Sequence, residues 1–192
     1  MTARDAGVSC AVLMCHAPIV VPDIAGSRAG LCARTSDAMA RAAQRLCRHE
    51  PDVLVVISPH APRDRTRFGV VEDASVTGTF ATFGWPEIGV ELPGAPEAAR
   101  VLREVAEAHG IGTRRARGDM LDHGALVPLY FVHAAGFRGR TLVLALPFPG
   151  TDGERAMGRA IAAAAVRLGQ RFCVLASGDM SHRLSPESPA GW

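Results

Sequence analysis

Four short runs of apolar, largely β-branched residues constrain the fold more than any other feature of this chain. They extend from Val8 to Cys15, Asp52 to Ser58, Thr141 to Leu146 and Arg171 to Ala176. None has a helical period, and none alternates as a half-wet strand would. Such runs read as strands covered on both faces, the condition of a largely parallel sheet. Helical spacings lie between them. Met39, Ala43, Leu46 and Cys47 follow Ser36 and Asp37; Ala98, Val101, Leu102 and Val105 follow Pro96; Met157, Ile161, Ala165 and Leu168 follow Asp152, an expected N-cap. A fourth helix is expected from Asp122-His123 to His133. Strands alternating with helices predict an α/β three-layer sandwich around a mostly parallel, mixed sheet. The alternating segment from Phe68 to Gly78 reads as an antiparallel or edge strand. The stretch from Thr77 to Pro96, rich in Gly and Pro, reads as a long ordered excursion over the sheet edge. No linker or repeat interrupts the pattern, so residues 1–192 are expected to form one domain.

Composition narrows the functions. A chain with 48% hydrophobic residues and a formal net charge of +2 buries a real core and carries no strong pull toward nucleic acid or a membrane surface. All 21 Lys+Arg residues are Arg, which excludes a Schiff-base lysine and a P-loop. The Arg clusters at 63–67 and 114–117 have no interleaved aromatics and read as solvated surface. Five cysteines without a CxxC pair suit reduced, mostly buried thiols in a cytoplasmic protein. The apolar run before His16 is too short for a secretory signal, and no segment has transmembrane length.

The histidines are placed informatively. The first strand runs into Cys15-His16-Ala17-Pro18, the second into Ser58-Pro59-His60, and the last into Ser177-Gly178-Asp179-Met180-Ser181-His182. In open α/β sheets, ligands bind outside the carboxyl ends of the strands, so His16, His60 and His182 can converge there. His123, at a helix start, can face the same crevice. His49, His109 and His133 fall at helix ends and read as structural. Neutral imidazoles suit Zn, Fe, Cu or Ni. Two His with one carboxylate points to non-haem Fe(II), and three His to Zn with an activated water. Ser177, Asp179, Ser181 and His182 supply the residue types of a serine triad, but they are crowded into six consecutive positions, without a G-x-S-x-G elbow. Cys15 and His16 are neighbours on an extended strand and point to opposite faces.

Taken in order, His16-Ala17-Pro18, Ser58-Pro59-His60, Leu121-Asp122-His123-Gly124 and Ser177-Gly178-Asp179-Met180-Ser181-His182 resemble the class III extradiol ring-cleavage dioxygenases, and within them the catalytic B-subunit-like branch that includes Memo-like proteins. The resemblance implies an α/β sandwich and Fe(II) held by His16, His60 and a Glu. It implies His182 as acid/base and His123 beside the substrate, a catechol- or aminophenol-like ring cleaved with O2. Zn is the alternative metal. A non-oxygenase metal-binding or interaction module and a three-His Zn hydrolase are the alternative functions, and homo-oligomerisation is open. The family's Glu lies beyond the motif matched by His182, whereas this chain ends at Trp192. The expectation is therefore a C-terminally incomplete family fold with an open metal pocket and an apolar patch near Trp192. Glu187, Asp179 and His123 are the positions within the chain to search for a third ligand.

Overall fold

A computed structural model describes residues 5–148 and 153–179. Its main sheet has the strand order β1-β8-β2-β7-β3-β6, formed by β1 (Gly7–Met14), β8 (Arg171–Ser177), β2 (Val53–Ser58), β7 (Arg140–Ala145), β3 (Phe68–Val71) and β6 (Thr113–Ala116). All neighbours are parallel except β3 and β7. The sheet is therefore mixed and mostly parallel, as the apolar runs predict.

The two-residue period of β2 explains the layers. Leu54 and Val56 enter one core with Met39, Ala43 and Leu46 of α2 (Ala29–Arg48) and Leu126 and Leu129 of α4 (His123–Ala134). Val53 and Val55 enter the other, with Leu102 and Val105 of α3 (Pro96–Ala108) and Met157 and Ile161 of α5 (Gly153–Leu168). Helices thus cover both faces of the central strands, giving the three-layer sandwich. The short α1 (Pro22–Ala25) leads into α2, and its Asp23 accepts a 2.6 Å hydrogen bond from Tyr130 of α4.

Several expectations are corrected. The first apolar run is not covered on both faces: β1 is an edge strand, and Val8 and Leu13 are 39% and 54% exposed. An apolar composition marks a strand but does not place it in the sheet. The segment from Phe68 to Gly78 is two strands, because the turn after Val71 sends the chain out of the main sheet. β3 is antiparallel to β7, but it is internal, fully buried and flanked on its far side by β6. β4 (Ser75–Phe80) and β5 (Trp85–Pro93) form a separate antiparallel hairpin, the ordered form of the Gly/Pro-rich excursion. Its Val76, Phe80, Val90 and Leu92 pack into the α2/α4 core, so the excursion lies over a face of the sandwich. α2 begins well before Ser36, whose hydroxyl instead donates to Val20 O at 2.6 Å and to Cys32 O, a bond back along its own helix. The Asp152 N-cap lies outside the described residues.

β6 holds Arg114 and Arg115 on a sheet edge, where charge discourages further strand pairing. Arg115 and Arg103 meet the half-buried Glu72, and Arg117 meets Asp119 in an exposed pair that adds little stability. All five cysteines are free. Among the described residues, no helix is long and apolar enough to cross a membrane.

Candidate metal centre

The carboxyl ends of β1, β8 and β2, three consecutive strands of the sheet, supply one side of a histidine cluster. β1 and β8 run in register to Met14 opposite Ser177, and Gly178 N continues the ladder by donating to Met14 O at 3.0 Å. This alignment sets His16, buried to 6% exposure, beside the last residue of β8: Ser177 Oγ lies 3.2 Å from His16 Nδ1. The other ring nitrogen, Nε2, is 3.1 Å from His60 Nε2 and 3.4 Å from Asp179 Oδ2. The His16 and His60 rings stand at 88° with centroids 4.7 Å apart.

The turn after β2 carries His60 and is braced by arginine. Arg63 Nε donates to Pro59 O at 2.8 Å, and an Arg114 guanidinium N–H donates to Pro62 O. Both Arg clusters thus contribute to the site's scaffold, beyond the solvated role read from sequence. Ser58, fully buried, donates to Asp122 Oδ1 at 2.6 Å. Asp122 is the N-cap of α4, and the same oxygen accepts from Gly124 N at 2.8 Å and Ala125 N at 3.3 Å. His123, the first helical residue, is thereby brought against His60, with centroids 4.2 Å apart and planes at 27°. Phe83, from the turn between β4 and β5, meets the outer side of His123 edge-on at 5.6 Å. One ring nitrogen from each of His16, His60 and His123 lies within 4.8 Å of the others.

Burial, followed by the neighbouring His60 and His16 rings, holds His123 below the ordinary imidazole pKa, so it stays neutral and able to accept a proton. Burial also raises the Cys15 thiol, which donates to Asp179 Oδ1 at 3.4 Å. Cys15 is therefore a protonated neighbour of the site and not an activated nucleophile. The Ser177 hydroxyl faces His16 Nδ1, and Asp179 faces His16 Nε2 and Cys15, so both are engaged with His16; Ser181 and His182, the other members of the sequence-derived triad, lie outside the described residues.

The donors suit a metal ion. Two ligand atoms about 2.1 Å from one ion stand roughly 3.0 Å apart at a right angle, close to the 3.1 Å between the two Nε2 atoms. Ser177 occupies the opposite nitrogen of His16, the usual way a ligating imidazole is oriented. His60 and His123 differ: nearly parallel planes send their in-plane lone pairs alongside one another, not to one point.

The structure thus brings together three of the four histidines singled out by sequence. His182, Glu187 and Trp192 lie outside the described residues. His49 and His109 cap helix ends and His133 lies in the last turn of α4, as read from sequence. Ser58 and Ser177 fall within the sequence motifs, but their supporting roles are not legible there, and Phe83 carries no sequence signal. Only the position of the two serines immediately before Pro59-His60 and Gly178-Asp179 hints at them.

Over residues 10–191 the chain matches the family of the catalytic LigB subunit of aromatic ring-opening dioxygenase, and it belongs to that family. It is 24% identical over 189 residues to Protein CA_C1420 of Clostridium acetobutylicum, covering 94% of this chain and 40% of that protein. The crystal structure of the uncharacterized protein JW3007 from Escherichia coli K12 superposes with a TM-score of 0.53 at 24% identity, covering 76% of this chain and 54% of that one. The chain spans about half or less of the length of these relatives.

Proposed function

We propose that this protein is a mononuclear metal-dependent extradiol dioxygenase acting with O2 on a catechol- or aminophenol-like aromatic. The observation that carries the reading is the right-angled His16–His60 pair, whose Nε2 atoms converge 3.1 Å apart at the strand ends of a LigB-family fold. His16 and His60 would hold the ion, and Asp179 brings negative charge beside His16. Two imidazoles with carboxylate charge suit Fe(II), as they also suit Zn, and the family match favours Fe(II). When bound, Fe(II) supplies binding of adjacent ring oxygens and of O2 at one centre.

The chain's own residues do the rest. Ser177 fixes the His16 ring so that Nε2, not Nδ1, faces the site. A cavity of about 320 Å³, with room for one substituted aromatic ring, is lined by Ala61 and Asp122, the chain neighbours of His60 and His123, and by Arg114, Arg115 and Arg117; none of the three histidines lines it. His123, neutral and stacked on His60, would accept a hydrogen bond from a ring hydroxyl. Phe83 packs edge-on against its ring. By the family resemblance His182 takes the hydroxyl proton and later returns it, work typically worth roughly 10²–10⁴-fold in rate. The order of motifs supports a Memo-like branch, and the free cysteines support a cytoplasmic location.

A three-His zinc hydrolase is favoured by the proximity of the three ring nitrogens and disfavoured by the 27° between the His60 and His123 planes. The test is anaerobic purification, metal analysis and oxygen uptake with a panel of catechols and aminophenols. Iron with ring cleavage supports the proposal. Zinc without oxygen uptake supports the hydrolase, and absence of stoichiometric metal supports a binding module.

A further inference from the structure

Ser58 and Asp122 lie outside the ring cluster, yet they join the two segments that carry His60 and His123. The Ser58 hydroxyl uses both of its capacities across this junction: it donates to Asp122 Oδ1 at 2.6 Å and accepts from the backbone N–H of His60 at 3.3 Å. Asp122 Oδ1 in turn gathers Ser58 Oγ, Gly124 N and Ala125 N, so one half-buried carboxylate starts α4 and ties it to the end of β2. The junction is built around a missing side chain. A Cβ on Gly124 would lie 2.5 Å from Ser58 Oγ and 2.7 Å from Asp122 Oδ1. No other connection among the described hydrogen bonds links the His60 turn to the first turn of α4.

We infer that Ser58 and Asp122 form a positioning latch that keeps the His123 ring stacked on His60, out of the metal's donor set and on the substrate side. The inference rests on the dioxygenase reading for what His123 does, but not for the latch itself. The geometry separates two roles. The His16 ring stands at 88° to His60, so their lone pairs can meet at one ion. His123 lies at 27° to His60, so its lone pair runs beside that of His60. His60 is two residues beyond Ser58 and His123 is next to Asp122, so a short rigid path fixes the stack. Loss of the Ser58 hydroxyl leaves α4 capped by Asp122 but frees its first turn from the strand end.

The test uses Ser58→Ala, Asp122→Asn, His123→Ala and the Ser58→Ala/His123→Ala double variant. In metal-free protein, the ring C–H resonances of His60 and His123 in Ser58→Ala should leave their wild-type positions, while those of His49 and His109 stay. Asp122→Asn keeps an acceptor oxygen and should retain the wild-type pattern. In Fe(II)-loaded protein under anaerobic conditions, Ser58→Ala should keep its iron content but bind 4-nitrocatechol about tenfold more weakly, within the range seen when supporting partners of site residues are removed. The double variant should bind it no more weakly than His123→Ala alone, since Ser58 acts through His123. Unmoved His123 resonances in Ser58→Ala, loss of iron, or additive losses in the double variant would each overturn the latch. A wild-type protein that takes up iron but does not bind 4-nitrocatechol would overturn the dioxygenase reading, and the resonances would still decide the latch.

Discussion

His16 and His60, which follow strands separated by β8 in the sheet, present their Nε2 atoms to one another at 3.1 Å with their ring planes at 88°. The sheet order makes this meeting possible. β8 lies between β1 and β2 and ends at Ser177, which meets His16 Nδ1; Asp179, two residues further on, lies beside His16 Nε2. Two strand ends carry the imidazoles, and the strand between them carries the groups that orient one imidazole and add charge.

Ser177→Ala removes the partner of His16 Nδ1 and leaves the ligand nitrogen in place. Metal affinity should fall by about 10–100-fold, the usual effect of losing a partner of this kind. Competition with a chromogenic chelator reads the change, and circular dichroism should show an unaltered fold.

Gly124→Ala forces a methyl group against Ser58 Oγ and Asp122 Oδ1, side-chain atoms that can yield only by giving up the bond between them and the cap of α4. Overpacking at such a junction should cost about 1–3 kcal/mol. For a chain of this size that lowers Tm by roughly 2–4 °C per kcal/mol. Gly158→Ala is the contrast: a Cβ at this position in α5 meets nothing within 4 Å. That substitution should stabilise by up to about 1 kcal/mol through helix propensity. Thermal melts of the two variants should move in opposite directions.

Tyr130 is the chain's single tyrosine, so its ionisation can be followed directly by ultraviolet absorbance. Burial, then the hydrogen bond and charge of Asp23, push its pKa up to about 12. A raised phenol pKa means that this part of the stability is present below the unfolded value near 10 and is lost as pH rises toward 12. Asp23→Asn should bring the absorbance midpoint down.

The depressed pKa of His123 gives the opposite sign. Above the unfolded value of 6.5 both states are neutral; as pH falls through it, the unfolded chain takes up the proton first and the fold loses stability. The loss levels off once the folded pKa is passed. His133, also lowered by burial and by Arg138, acts in the same direction. Urea unfolding of metal-free protein should therefore weaken below about pH 6.5, the ordinary imidazole value, and His123→Gln should flatten part of that slope.

Much of the architecture is legible because periodicity survives in sequence. β2, β7 and β8 are apolar throughout, and α3, α4 and α5 keep their helical faces or start signals. β1 is misplaced because the same composition serves an edge and a centre. β6 is invisible because Thr113-Arg114-Arg115-Ala116 reads as surface charge until β3 pairs with it. The start of α2 is hidden because residues 29–35 have no apolar stripe, and only Met39, Ala43 and Leu46 are buried. At the site, His16 and His60 can be read from strand ends, and His123 from the capping Asp122. The pairing of Ser58 with Asp122 and of Ser177 with His16 cannot be read there, because it depends on register between segments far apart in the chain.

The central claim is that His16 and His60 together hold one catalytic metal ion. The most direct measurement is anaerobic equilibrium dialysis of wild-type, His16→Ala, His60→Ala and His109→Ala protein against Fe(II), followed by metal analysis and catechol-dependent oxygen uptake on the same samples. Wild-type and His109→Ala protein should hold one iron per chain and consume oxygen, while His16→Ala and His60→Ala lose both iron and uptake. Retention of stoichiometric iron by both His16→Ala and His60→Ala would contradict the account.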